Sequence, residues 1–157
     1  MEHLKHIEID KEKWDQAIDA SDNGLIYAKS WYLDIVSPDW QALVDENYET
    51  VFPLTCRRKY GYNYLYPPFF TQQLGVFSKE VPTIDAVNQI LRSIPKEFRF
   101  IEINLNHQNK TSAPDFSWGS ACCWFDYCWN VVGWSSDWLY VDWLCGRIGY
   151  PSNRFAI

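Results

Sequence analysis

Two groups of residues in this chain have types and spacings that chemistry could use: a cluster of rings and amides at a strand break, and one carboxylate set between isoleucines. The cluster lies in YETVFPLTCRRKYGYNYLYPPFFTQQLGVFS, residues 48–78. A candidate strand, Glu49 to Arg57, turns through Arg58 to Asn63 and returns as Tyr64 to Tyr66. It must stop at Pro67-Pro68, because proline has no N–H to give a sheet ladder. Phe69, Phe70, Gln72 and Gln73 follow, just before Gly75. Rings and amides converging where a sheet ends are what a binding wall needs. Tyr66, Phe69, Phe70, Gln72 and Gln73 are therefore the candidate substrate-binding residues. The same residues can also be read as core rings, with amides tying loose backbone ends. Glu102, between Ile101 and Ile103, is a carboxylate whose desolvation would raise its pKa towards the range of a general base. The alternative for it is a structural, edge-facing glutamate. His107 follows the same strand and could act as acid or base, but nothing in the sequence pairs it with a nucleophile. No catalytic residue is assigned.

Other chemistries lack their signatures. There is no nucleophile elbow, phosphate-cradling glycine loop, HExxH or dinucleotide fingerprint. Cys123 and Cys128 do not have the CxxC spacing of a zinc knuckle, and no histidine follows Lys110, so no metal site is expected. His3 and His6 have no third donor nearby and read as surface residues. Carboxylate pairs such as Asp45 and Glu46 fall in turns and read as solvated. The net charge of −6 argues against a general nucleic-acid binder, which needs a basic face to neutralise phosphates. The one basic cluster, Arg57-Arg58-Lys59, reads as a solvated loop tip. The charged start, MEHLKHIEIDKEK, lacks the apolar core of a signal peptide, and no apolar run is long enough to span a membrane. The expectation is a cytoplasmic chain with no membrane partner. There are five cysteines, an odd number, and a disulfide framework fits poorly with a chain expected to have no secretory signal.

The elements that must position the cluster follow from periodicity and caps. Leu4 to Ile9 alternates and reads as a short strand. Asp10 is an N-cap for a helix with Trp14, Ala17 and Ile18 on one face, ended by Ser21-Asp22-Asn23-Gly24. Leu25 to Ala28 reads as extended, and Ser30 as the cap of a short helix, Trp31 to Val36, that stops before Ser37-Pro38. Trp40 to Val44 reads as a strand joined by a polar turn to the central hairpin, giving an antiparallel meander. Thr83 caps a helix whose stripe is Ile84, Val87, Ile90, Leu91 and Ile94, closed by Pro95. Phe98 to Asn106 alternates as a strand, with a register slip near Ile101. The expected class is mixed α/β (α+β): a twisted, mainly antiparallel sheet with two to three helices packed on it.

Composition changes after Lys110. Residues 111–157 contain no Lys, Glu, Gln, His or Met, yet hold Trp118, Trp124, Trp129, Trp134, Trp138 and Trp143 and most of the cysteines. The expected division is a half domain, 1–110, and a Trp/Cys-rich tail, 111–157. Three readings of the tail stay open: an aromatic subdomain whose tryptophans stack on a ligand, a partner-binding surface, or out-of-frame translation with poor order.

SWYLDIVSPDWQALVDENYETVFPLTCRRKYGYNYLYPPFFTQQLGVFS and FRFIEINLN, preceded by KEKWDQAIDAS and NGLIYAKSWYLD, resemble the N-terminal half of bacterial GNAT-fold acyltransferases of the FemAB-like type. The resemblance covers about residues 1–110. It implies two GNAT-like halves and transfer of an acyl or aminoacyl group to an amine of a small molecule or the cell wall. The donor, acyl-CoA or aminoacyl-tRNA, is bound chiefly by the second half, and the tail matches neither the basic helical segment nor the second GNAT unit expected after Asn106. The resemblance thus implies no cofactor held by this chain, a fragment inactive alone, and an acceptor-side wall at Tyr66, Phe69, Phe70, Gln72 and Gln73. The other functional reading is a non-catalytic module that binds a carbohydrate or protein partner through aromatic residues.

Overall fold

The structure, a computed structural model, describes residues 1–59, 61–112, 116–119 and 129–134, the last two segments through their backbone. Among the described residues it is an α+β arrangement of three helices, two short 3-10 turns and nine strands in two mainly antiparallel sheets. The first sheet contains β1 (Glu2–Leu4), β2 (Gln41–Val44), β3 (Thr50–Leu54) and β6 (Phe77–Ser78), in the order β1-β2-β3-β6. The second contains β4 (Cys56–Lys59), β5 (Tyr62–Leu65), β7 (Phe98–Leu105), β8 (Phe116–Gly119) and β9 (Trp129–Trp134), in the order β4-β5-β7-β9-β8.

Helices α1 (Lys11–Ala20) and α2 (Ser30–Val36) belong with one face of the first sheet. Asp10 caps α1 by accepting from the Lys13 N–H at 3.1 Å, as its side chain predicts. Trp14 and Ile18 are buried with Leu33, Trp40, Ala42, Val44, Val51 and Phe77 in one core cluster. Leu43 and Phe52, which pair across β2 and β3, point the other way. They join a second cluster with Val87, Ile90, Leu91 and Ile94 of α3 (Ile84–Arg92) and its C-terminal turn. Alternate residues of β2 thus feed two cores. Thr83 caps α3 by accepting from Ala86 N–H.

Several local expectations are corrected. The strand expected from Leu4 to Ile9 ends at Leu4, and His6–Glu8 forms a 3-10 turn, because the Glu8 side chain reaches back to the Lys5 N–H. Ile26–Ala28 is also a 3-10 turn, where extended chain was expected. Ser30 does not cap α2: Asp15 of α1 accepts from both its N–H (2.8 Å) and its hydroxyl (2.7 Å), so the helix start is held by a tertiary contact. Ile84 at the start of α3 is 45 % exposed and lies outside the stripe. Most consequential for the site, the strand expected from Glu49 to Arg57 is two strands. It breaks at Thr55 and passes from the first sheet into the second. The expected meander is accordingly two hairpins, β2-β3 and β4-β5, in different sheets.

The strand β7 runs parallel to β5 across the α3 crossover. Asn63 opposes Phe98 and Tyr64 opposes Phe100, so Arg99 is an extra residue on β7. This bulge is the physical form of the expected register slip, and it returns Phe98, Ile101, Ile103 and Leu105 to one core. Beyond residue 110, β9 pairs antiparallel with β7 from Phe100 to Leu105, and β8 pairs with β9. Apart from Thr111 and Ser112, the rest of residues 111–157, and with it most of the Trp/Cys-rich tail, lies outside the described residues.

Candidate functional site

The parallel strands β5 and β7 stay paired only as far as Leu65 and Ile101. Beyond that point Pro67-Pro68 carries the chain out of the sheet. Pro68 C=O accepts from the Thr71 N–H at 3.1 Å, closing a tight turn in which Phe70 has a positive φ of 66°. That is the backbone pattern of a type II turn, which asks for φ > 0 at its third residue. The chain then returns to β7. Leu74 N–H donates to Asn104 C=O and Asn106 N–H donates to Leu74 C=O, each at 2.8 Å. One partner therefore leaves β7 at Ile101 and another arrives at Leu105, and between them lies a gap.

A cavity of about 10 Å3 fills this gap, lined by Tyr66, Thr71, Gln73 and Asn104 together with Pro53, Thr55 and neighbouring apolar groups. It lies beyond the carboxyl end of β5 and alongside Ile103 and Asn104 of β7, where the parallel pairing has already ended. Its volume is that of a single water-sized group. Thr71 Oγ1, Gln73 Oε1 and Asn104 Oδ1 are buried and have no hydrogen-bond partner. Such atoms are unfavourable in a finished core, and here three of them belong to residues around one small space.

Tyr66 is held on several sides. Its N–H donates to Thr55 C=O at 3.1 Å, its own C=O accepts from Thr55 Oγ1 at 2.7 Å, and its hydroxyl donates to Val36 C=O at 3.1 Å. The Arg57 guanidinium lies 4.5 Å from the ring centroid, a cation–π contact. The strand switch at Thr55 and the double proline after Tyr66 thus fix this residue from both chain directions.

The five candidate residues are not brought together. Tyr66 and Gln73 line the cavity. Phe69 and Phe70 are 79 % and 91 % exposed at the tip of the turn, with Tyr32 Oη donating to Phe70 C=O at 2.8 Å, and Gln72 is exposed. Thr55, Thr71 and Asn104 line the cavity without having been singled out from the sequence. Asn104 gave no signal, because a polar residue between Ile103 and Leu105 is what the alternation of β7 requires. Glu102 is half-buried, and desolvation raises its pKa as its position predicts. It lies two residues before Asn104 and so on the same strand face. His107 is exposed in the turn after β7. His3 bonds Gln41 and His6 bonds Asp34. Burial, helped by Asp39 and Glu97, pushes the Cys56 thiol up to about 11, which leaves it protonated and unreactive at neutral pH.

Among the described residues, no group of three or more His, Cys, Asp or Glu is placed to hold a metal ion, and no helix is long and apolar enough to cross a membrane. Compared with known protein families, curated proteins and solved structures, the chain matches none.

A second surface feature lies beside the turn. Trp31, Ile35, Phe69 and Phe70 are all more than half exposed, and Tyr32 makes edge contacts with both Trp31 and Tyr27.

Proposed function

We propose that residues 1–110 form the acceptor-side half of a GNAT-like, FemAB-like acyltransferase that binds the amine of a small molecule or cell-wall component. The observation that carries this reading is the gap along β7 beyond the end of β5, where three buried oxygens of Thr71, Gln73 and Asn104 lack partners. Hydrogen-bond acceptors without donors favour a ligand that brings N–H groups. The mainly antiparallel α+β architecture with three helices supports the same reading, because the resemblance implies it for a first half. In the complete reaction the amine nitrogen attacks the carbonyl carbon of a thioester or ester. The C–S or C–O bond breaks, the thiol or hydroxyl leaves, and the amine proton passes to a base. Proximity and an oxyanion-stabilising backbone amide supply the acceleration. The donor, acyl-CoA or aminoacyl-tRNA, belongs to a second unit, so this chain binds acceptor and does not turn over alone.

Calorimetric titration tests this with three probes: a peptide whose lysine side chain is its only primary amine, the same peptide with norleucine for lysine, and acetyl-CoA. The lysine peptide is expected to bind, the norleucine peptide to bind at least tenfold more weakly, and acetyl-CoA not at all. Equal binding of the two peptides would overturn the acceptor-side reading. Acetyl-CoA binding with acetylation of the peptide would make the chain a self-contained transferase.

The exposed rings favour a second reading, a non-catalytic module that stacks Trp31, Phe69 and Phe70 against a carbohydrate or a protein partner. A saturable tryptophan-fluorescence shift with an oligosaccharide, and none with the lysine peptide, would support it over the first.

A further inference from the structure

The gap along β7 specifies its occupant more closely than a general preference for donors. Thr71 is only 6 % exposed, and its Oγ1 has no hydrogen-bond partner. A hydroxyl has one proton to give as well as lone pairs, whereas the amide oxygens of Gln73 and Asn104 only accept. Thr71 lines the cavity and its Oγ1 has no hydrogen-bond partner, so a group seated there with a lone pair takes its proton. The two amide oxygens must each meet an N–H or O–H. The group that satisfies all three accepts one hydrogen bond and donates two. Water does this, and so does an uncharged –NH2. An ammonium has three N–H bonds and no lone pair, which leaves the Thr71 proton unmatched in a buried site.

Resting on the acceptor-side reading, we propose that the cavity seats the uncharged nitrogen of a primary amine, which displaces a water bridging Thr71, Gln73 and Asn104. The volume of about 10 Å3 admits that one nitrogen, and the remainder of the amine extends out past Tyr66. Among the described residues the lining carries no carboxylate that would favour an ammonium. The ionisable groups around it are Tyr66 in the lining, Arg57 over the Tyr66 ring and Glu102 on the Asn104 face of β7. The amine that the seat selects is also the form with the electron pair that acyl transfer requires.

The test is an NMR titration of the full chain with methylamine at pH 8 and pH 9, with trimethylamine, which has no N–H at neutral charge, as control. The resonances followed are the Thr71 backbone amide and the Gln73 and Asn104 side-chain amides. An alkylammonium near the lysine pKa of about 10.4 gains roughly tenfold in uncharged fraction between those pH values. The saturation midpoint in total methylamine is therefore expected to fall about tenfold from pH 8 to pH 9, with no saturation by trimethylamine. Thr71→Val removes the donated proton and is expected to raise the midpoint by about tenfold, the worth of one hydrogen bond, and Thr71→Ser is expected to restore it. Should Thr71→Val lose its near-UV circular dichroism, the wild-type pH dependence decides alone. A midpoint independent of pH would mean an ammonium seat, and no saturable shift would mean an adventitious water only. Either overturns the proposal. Unchanged lysine-peptide affinity in Thr71→Ser and a folded Thr71→Val would overturn this seat while leaving the acceptor-side reading intact. Equal binding of the lysine and norleucine peptides to the wild type would instead overturn that reading itself.

Discussion

Asp34 shows how much one side chain can hold. Partial burial alone would raise its pKa, but hydrogen bonds from Lys11 at 2.7 Å, the Trp40 indole at 3.0 Å and His6 at 2.9 Å outweigh this and bring it down to about 2. The carboxylate therefore joins the first 3-10 turn, α1, α2 and the start of β2. Trp40 is fully buried, so without Asp34 its N–H faces no acceptor. Asp34→Ala is expected to cost about 1–2 kcal/mol at pH 7 by denaturant unfolding, chiefly from that orphaned donor. The sign with pH follows from the lowered folded value. The contribution is present above the ordinary carboxylate pKa of 3.8 and is lost as pH falls towards 2. The stability gap between wild type and Asp34→Ala is thus expected to narrow between about pH 4 and pH 2. A gap that stays constant over that window would show that the ion-paired form contributes nothing.

At the scale of elements, the return of the chain from the turn to β7 depends on a close approach that only glycine permits. Gly75 has φ +128°, and a Cβ there would overlap Asn109 Oδ1. That amide accepts from the Val76 N–H at 2.5 Å and donates to Val76 C=O at 3.1 Å, and Asn23 donates to the same carbonyl at 2.8 Å. Gly75→Ala would both strain the backbone and break this clamp, at an expected cost of about 3 kcal/mol or more. A loss under about 1 kcal/mol on chemical denaturation would show that the Asn109 clamp yields easily. Such side-chain clamps explain what the sequence conceals. The α1 and α3 caps, the α3 stripe and the β7 slip were legible because each depends on neighbours within a few residues. The switch of sheets at Thr55 was not, since the mostly apolar run Val51 to Cys56 looks the same whether one sheet or two receive it. Of the five residues read from the sequence as a binding wall, Tyr66 and Gln73 line the cavity. Phe69 and Phe70 read as buried by type, but the turn imposed by Pro67-Pro68 turns them outward.

For the whole molecule, the lasting question is how the compositionally distinct end of the chain relates to the rest. The strand β9 pairs with β7 along six positions, from Phe100 to Leu105, covering the edge opposite β5. A chain cut after Ser112 would present that edge unpaired, an open template for other chains. It is expected to self-associate on size-exclusion chromatography at concentrations where the full chain stays monodisperse. A monomeric, equally stable truncation would show that β8 and β9 add nothing to the sheet. The polar gap lies on the other side of β7, so the same strand carries a structural partner on one flank and the proposed amine seat on the other.

The most direct test of that seat replaces Asn104 by leucine, whose apolar side chain removes one acceptor and fills the gap. Denaturant unfolding first establishes that the variant stays folded, since Thr71 and Gln73 lose the water they share with Asn104. The lysine peptide is then expected to lose its advantage over the norleucine peptide in the folded Asn104→Leu protein. A lysine preference that survives in the folded variant would contradict the assignment of the gap as the amine site.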